Sequence, residues 1–357
     1  IGPRLVGTPE QQKAHNWAVQ QFKAWNISAN NEQWGVWKGW QRGITHIDLV
    51  EPRVKTLNGT MLAWSPATGI EPINNTEVII LPDLKDSLEF AKWLPNVKGK
   101  LVLISMVQPT GRPEYNWKEY ATEESFNSMK NIQDSLNKAW NSRIEKYGYN
   151  RRTLPLVLEK GGAKAILSSN WSRGFGVNKI FSSYTKSIPT LDISLEDYGL
   201  VYRLAESGNK PKLTIYTESM SLEDVPTFNT IATIPGSEKS DESIILSAHF
   251  DSWDGGSGAT DNGTGSITMM EVARILKKVY PNPKRTIIVG LWGSEEQGLN
   301  GSRSFVEDHP ELVEKVQAVF NQDNGTGRVT KINGQGFLKA NEFIGRWLQA
   351  VPKSITN

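Results

Sequence analysis

Apolar and polar positions follow a helical period in some parts of the chain and a strand period in others. Residues 8–25 place apolar side chains on one helical face, and Thr8 followed by Pro9 is typical of a helix start. Short apolar runs between turns rich in glycine and proline predict strands from about residue 62 to 222, and the long polar stretch 119–147 predicts a helix. From about Phe228, strands and helices alternate. This pattern predicts an α/β fold with a mostly parallel, mixed sheet between helices.

The change of rhythm along the chain predicts two domains. The length of 357 residues exceeds that of one average domain. Residues 1–64 and 223–357 are expected to build the α/β domain together. Residues 65–222 are expected to form a β-rich module inserted into it.

Acidic residues follow three predicted strands of the C-terminal segment, at 243–248, 285–292 and 316–322. The stretches after these strands begin with "HFD", "GSEE" and "QDNG". Ligands of parallel sheets bind beyond the carboxyl ends of the strands, so these side chains should meet at one edge. The residues expected there are His249, Asp251, Asp261, Glu295, Glu296 and Asp323.

Each of these motifs, taken alone, also has an ordinary structural explanation. Asp-Asn-Gly is common turn chemistry, and the pair Glu295-Glu296 could simply begin a helix. A helix–loop–helix calcium site is excluded, because Trp253 and Asn262 stand where that loop needs Asp or Asn and Glu. The convergence of three loops is what indicates a metal site.

Composition narrows the chemistry further. The chain has no cysteine, so a metal would be bound by His, Asp and Glu, a donor set that suits zinc, manganese or cobalt. The formal charge of +2 gives no sign of a nucleic-acid partner. No apolar run approaches the roughly 20 residues of a membrane span.

Several stretches resemble a known family. "AHFDSWDGGSGATDNGTG", "LWGSEEQGLNGS" and "FNQDNGTGR" resemble the di-zinc exopeptidases of the aminopeptidase Y and glutamate carboxypeptidase group, most of all its carboxypeptidase Q branch. "GKLVLI", "GGAKAIL" and "IPTLDIS" are similar to the protease-associated domain inserted in that branch. The resemblance implies two Zn²⁺ ions as cofactors and a peptide or dipeptide as substrate.

The resemblance also implies a role for each metal ligand. His249 and Asp323 would bind one zinc ion, Asp261 would bridge both ions, and Glu296 would bind the second. The family's last ligand is a histidine well downstream of the Asp323 equivalent, and no histidine follows His309 in this chain. We therefore expect a fragment that lacks the C-terminal part of the peptidase domain, with an incomplete second zinc site.

In that family the reaction is attack of a hydroxide held by the two zinc ions on a peptide carbonyl. Glu295 would be the general base, and Asp251 would orient the His249 imidazole. The alternative is a catalytically inactive binding or receptor-like protein of the same fold, or an inactive truncated fragment. The intact ligand and base positions favour the enzyme, an aminopeptidase or a carboxypeptidase/dipeptidase.

The resemblance predicts a location outside the cytoplasm, secreted or in the cell envelope. The Asn-x-Ser/Thr sites include Asn262 and Asn324, which directly follow expected ligands, where a glycan would block the site. We interpret these sites as chance matches, which favours a bacterial source. The sequence leaves open whether the chain forms a homodimer.

Overall fold

The computed structural model describes residues 1–178 and 180–356. The strands in this part of the chain are β1 (Ser28–Trp37), β2 (Trp40–Glu51), β3 (Lys55–Thr56), β4 (Gly59–Met61), β5 (Ile73–Ile80), β6 (Leu101–Leu103), β7 (Ala165–Ser168), β8 (Thr190–Ile193), β9 (Lys212–Ser221), β10 (Val225–Ile234), β11 (Lys239–His249), β12 (Arg285–Trp292) and β13 (Val316–Asn321).

The helices are α1 (Pro9–Ala24), α2 (Ser87–Trp93), α3 (Glu114–Tyr120), α4 (Glu123–Lys146), α5 (Leu154–Lys160), α6 (Leu195–Glu206), α7 (Thr264–Val279), α8 (Asn300–Asp308), α9 (Pro310–Val313), α10 (Ala340–Gln349) and α11 (Lys353–Thr356). Two short turns of other helical types lie at Leu94–Val97 and Ala259–Gly263. The predicted first helix is confirmed, and the Thr8 side chain accepts a hydrogen bond from the Gln11 backbone N–H at its start.

Five strands form a mixed sheet in the order β1-β10-β12-β11-β13. β11 pairs in parallel with β12 and with β13, whereas β10 is antiparallel to β12 and to β1. The mixed α/β sheet is confirmed, but its parallel part is limited to three strands. Those three strands are the ones that precede the acidic loops.

Helices cover both faces of this sheet. Neighbouring residues point to opposite faces, as the two-residue period of a strand requires. Leu246 packs with Phe22 of α1 and Met270 of α7, while Ile245 packs with Phe305 of α8 on the other face. Burial of each such side chain stabilises the fold by about 1.5–3 kcal/mol relative to exposure. These two cores support β11 and β12, whereas the carboxyl end of β13 is largely exposed.

The remaining strands form an eight-stranded sheet in the order β3-β2-β9-β5-β6-β7-β8-β4. Its strands lie between residues 40 and 221, and the long polar helix predicted at 119–147 is found as α4. Because β2 pairs with β9, residues 40–51 belong to this sheet. The expected protease-associated module and its limits at 65 and 222 remain predictions.

The chain divides into two compact units, of which the first comprises Ile1–Asn324 and contains both sheets. The second begins at Gly325 and contains α10 and α11. Within the described part of the chain, no helix combines the length and apolar character needed to cross a bilayer.

Candidate metal centre

Three strand ends lie side by side at one edge of the five-stranded sheet. His249, the last residue of β11, is paired in register with Trp292, the last residue of β12. On the other side of β11, Ser247 is paired with Asn321 at the end of β13. The loops that follow these strands therefore start at nearly the same level along the strand direction, at one edge of the sheet, as the sequence pattern predicted.

The structure brings three of the expected ligands into one group. Donor atoms of His249, Asp261 and Asp323 all lie within 4.8 Å of one another. The His249 Nε2 atom is 3.2 Å from Asp261 Oδ1 and 3.3 Å from Asp323 Oδ1. The histidine is buried, whereas the Asp261 and Asp323 side chains are 52% and 40% exposed. The group is thus open to solvent on its acidic side and could bind a divalent cation.

The two glutamates after β12 flank this group. Glu295 Oε2 lies 4.0 Å from His249 Nε2. Glu296 is not one of the three grouped residues, and its Oε2 accepts a 2.6 Å hydrogen bond from the Trp253 indole. Both glutamates are partly buried. Glu295 thus lies beside the group, and the Glu296 side chain is bonded to the tryptophan of the loop after β11.

Asp251 links the histidine to the glutamate loop. It is fully buried, and its carboxylate accepts hydrogen bonds from the backbone N–H groups of Glu295 at 2.9 Å and Glu296 at 3.2 Å. His249 Nδ1 lies 3.5 Å from Asp251 Oδ1 and 3.1 Å from the Asp251 carbonyl oxygen. Asp251 thus contacts both the imidazole and the glutamate loop, and its role in orienting the imidazole stays a prediction. Its contact with the glutamate loop was not predicted.

The charge distribution shifts the pKa of two groups. Burial lowers the pKa of His249, but the contact with Asp251 and the charges of Asp251, Asp323 and Glu295 outweigh it and raise the pKa to about 9. Burial, together with the neighbouring aspartates, raises the pKa of Glu295 despite the opposing effect of His249. Such a crowd of carboxylates around one imidazole favours the binding of a cation.

Backbone conformation and buried amides shape the loop between β11 and α7. Gly255 and Gly258 have positive φ angles of 97° and 63°, which side chains other than glycine rarely adopt. Asn262 is fully buried; its Nδ2 donates to the Gln322 carbonyl, and its Oδ1 accepts from the Gly265 N–H. The Asn262 side chain thus connects the turn at Asp261 to the loop at Asp323. Because Asn262 is buried, its Asn-x-Thr motif agrees with the interpretation as a chance match.

An N-terminal arginine that sequence reasoning missed fastens the same loop. Arg4 is buried, and its guanidinium donates to the carbonyls of Phe250 at 2.7 Å and Gly258 at 2.8 Å. The Arg4 backbone N–H also donates to the Ser252 hydroxyl. A single arginine in "IGPRLVG" has no periodicity that could indicate this role. Only the fold brings it to the loop.

Three further side chains near this group have defined contacts. Asp254 is buried and forms an ion pair with Arg42 at 2.6 Å. Trp292 packs against Phe305, whereas Trp253 packs among aromatic rings and also donates to Glu296.

Comparison with known proteins finds a family model that is similar to the last third of the chain. Residues 229–357 match the sequence model of peptidase family M28. Carboxypeptidase Q from Mus musculus is 27% identical over 345 residues, which are 96% of this chain and 66% of that protein. Carboxypeptidase Q from Homo sapiens is 26% identical over 350 residues, with the same coverage of 96% and 66%. The chain thus spans just under two thirds of the length of these relatives.

Solved structures share the fold. A peptidase M28 precursor from Shewanella amazonensis SB2B superimposes with a TM-score of 0.71 at 21% identity, over 98% of this chain and 73% of that one. BSAP, a zinc aminopeptidase from Bacillus subtilis, superimposes with a TM-score of 0.56 at 19% identity, over 90% and 65%. At these sequence identities, the similarity shows a shared fold.

Proposed function

Since residues 229–357 match the sequence model of peptidase family M28, we propose that this chain carries the metal centre of a zinc-dependent exopeptidase. The enzyme would hydrolyse peptide bonds near the end of a peptide or dipeptide. The observation that carries the proposal is the convergence of His249, Asp261 and Asp323 within 4.8 Å at the ends of parallel strands, with Glu295 beside them.

The residues present fit a zinc site. Imidazole and carboxylate donors without sulfur are a donor set that zinc accepts. His249, Asp261 and Asp323 would hold one ion, and Asp261 together with Glu296 would hold a second. Asp251 supports this arrangement, because the buried contact with His249 Nδ1 leaves Nε2 facing the carboxylates.

Glu295 is the residue that would move the proton. A raised pKa brings a carboxylate closer to the working pH, where a general base is most effective. Bound zinc would polarise the attacking water and the scissile carbonyl. Glu295 would accept the proton of that water at Oε2 and return it to the leaving amine. Its backbone N–H bond to Asp251 would hold the loop in place meanwhile.

The end of the peptide that is recognised is a separate question. Relatives of this chain carry the names carboxypeptidase Q and zinc aminopeptidase, so a free carboxylate and a free amine are both candidate recognition elements. A panel of dipeptides blocked at the amino end, at the carboxyl end, or at neither would distinguish them. We further propose a location outside the cytoplasm, as predicted from the sequence.

Replacement of the base tests the function. Glu295→Gln should keep zinc binding but lower the turnover of the susceptible dipeptide by about 10²–10⁴-fold, the usual share of general base catalysis. Zinc content after dialysis and initial rates of hydrolysis measure the two effects. Glu307→Gln, at an exposed site on α8, is the matched control and should behave as the unaltered chain.

Two outcomes would contradict the proposal. If the unaltered chain binds zinc and dipeptides without hydrolysing them, the alternatives of a binding or receptor-like protein and of an inactive truncated fragment are supported instead. If it takes up no zinc and His249→Ala changes nothing, the assignment of the metal centre is wrong.

A further inference from the structure

Trp253 connects the candidate metal centre to an aromatic cluster. Its Nε1–H donates to Glu296 Oε2 at 2.6 Å. Its ring lies edge-on to Trp64 at a centroid distance of 6.2 Å and to Phe181 at 5.5 Å. Such edge-to-face pairs prefer one orientation of the rings. The indole therefore reaches Glu296 from a packed position.

The backbone beside Trp253 is fixed as well. The next residue, Asp254, is buried and paired with Arg42 of β2. Gly255 lies so close to Ile180 that a Cβ atom would be 2.4 Å from its Cγ1. Both contacts anchor the backbone directly after Trp253. The indole is thus supported by contacts that do not involve the metal centre.

The chemistry of an indole suits the support of a metal ligand. Its N–H group only donates, so it stabilises an ionised carboxylate and one rotamer of it without offering a lone pair to the cation. Ligand carboxylates are commonly oriented by such hydrogen bonds. We propose that Trp253 is a positioning residue that holds the Glu296 carboxylate for a divalent cation. The inference rests on the proposed function, in which Glu296 is a metal ligand.

If Trp253 only packed in the cluster, replacing either tryptophan should affect zinc binding alike. A comparison with Trp64 therefore separates a packing role of Trp253 from a positioning role. Trp64 is buried in the same aromatic cluster, and its Nε1 has no hydrogen-bond partner among the residues that the structure describes. Trp253→Phe keeps a ring but removes the donor to Glu296. Trp64→Phe alters the same cluster and leaves that donor in place.

Titration of the metal-free chain with Zn²⁺ by calorimetry tests the inference. Glu296→Gln first identifies the part of the zinc uptake that depends on Glu296. Trp253→Phe should weaken that part by about 10–100-fold, the usual effect of losing a group that orients a ligand. The uptake that depends on His249 should change less than about twofold, and Trp64→Phe should leave both parts unchanged. Thermal unfolding of the metal-free variants checks that each is folded.

Each other outcome overturns the inference. If Trp253→Phe leaves zinc uptake unchanged or tightens it, the hydrogen bond does not position a ligand. If Trp253→Phe and Trp64→Phe weaken every part of the uptake alike, the role of Trp253 is packing. If Glu296→Gln has no effect while His249→Ala abolishes uptake, Glu296 is not a ligand. If neither variant affects uptake, the proposed metal centre itself fails.

Discussion

Two buried aspartates of this chain lie beside different sheets. Asp251 is fully buried and accepts hydrogen bonds from two consecutive backbone N–H groups beside the candidate metal centre. Asp192, on β8 of the other sheet, is equally buried, and its Oδ1 accepts hydrogen bonds from Asn170 and Ser168. Desolvation outweighs those hydrogen bonds and raises the pKa of Asp192 to about 6.

The raised pKa of Asp192 predicts a dependence of stability on pH. An aspartate in the unfolded chain has a pKa of about 3.9, so the folded state binds the proton more tightly. The stabilisation is complete below about pH 4 and is lost as the pH rises through 6. Asp192→Asn keeps the accepting oxygen but cannot ionise. Its free energy of unfolding, relative to that of the unaltered chain, should therefore rise by about 2–3 kcal/mol when the pH is raised from 4 to 7.

Urea unfolding at both pH values measures this difference. Asp134→Asn, at an exposed position on α4, is the control and should shift little. An equal effect of Asp192→Asn at pH 4 and pH 7 would show that Asp192 does not take up a proton on folding.

At the level of elements, the loop between β11 and α7 depends on a backbone shape that the strand and the helix do not impose. Gly255 adopts a φ of 97° against Ile180. Gly256, its neighbour, has no positive φ, and among the described residues a Cβ there would meet the Asn178 carbonyl oxygen at 3.5 Å, an ordinary contact. The two glycines thus form a matched pair for testing the loop.

Gly255→Ala should destabilise the chain by about 1–3 kcal/mol, because the added methyl group meets Ile180 and the backbone must keep a strained φ. Gly256→Ala should cost less than about 0.5 kcal/mol. Urea unfolding compares the two variants under the same conditions. Equal losses would indicate that the loop relaxes around Gly255 instead of resisting the substitution.

The sequence predicted those parts of the site that depend on strand order. Acidic residues that follow apolar strands can be located by pattern, because parallel strands bring their carboxyl ends to one edge. His249, Asp261 and Asp323 were predicted in this way, and the structure brings them together. The roles assigned to them, and the assignment of Glu295 and Glu296, stay predictions.

Long-range polar contacts could not be predicted in this way. Arg42 and Asp254 are 212 residues apart, and nothing in the local pattern of either indicates the other. Arg4 likewise gives no periodic signal. Because such contacts depend on how elements pack, only the folded chain reveals that the loop between β11 and α7 is held from outside its own sheet.

At the level of the whole molecule, the Arg42–Asp254 pair joins the eight-stranded sheet to the loop of the five-stranded one. The pair is largely buried, so removal of one partner leaves an uncompensated charge. Arg42→Met and Asp254→Asn should each lower the free energy of unfolding by about 2–4 kcal/mol. The double variant should lose less stability than the sum of the two single variants.

A double-mutant cycle in urea measures the coupling, which we expect at about 1–3 kcal/mol. The exposed pair Lys284–Glu238, with its N–O distance of 2.9 Å, is the control and should couple by less than about 1 kcal/mol. If the coupling energy of Arg42–Asp254 is as small as that of the control pair, this ion pair does not stabilise the contact between the eight-stranded sheet and the loop.

The attachment of Arg4 to the loop also has a consequence for the order in which the chain folds. Arg4 and the Phe250 carbonyl that it binds are 246 residues apart. All strands of the eight-stranded sheet likewise lie, in the sequence, between β1 and its partner β10. Contacts of such high contact order form late, because the entropy of closing a long segment must be overcome first. The segment around Arg4 must therefore wait until the strand before Phe250 has been made. The loop between β11 and α7 reaches its final shape only when Arg4 and the Phe250 carbonyl have met.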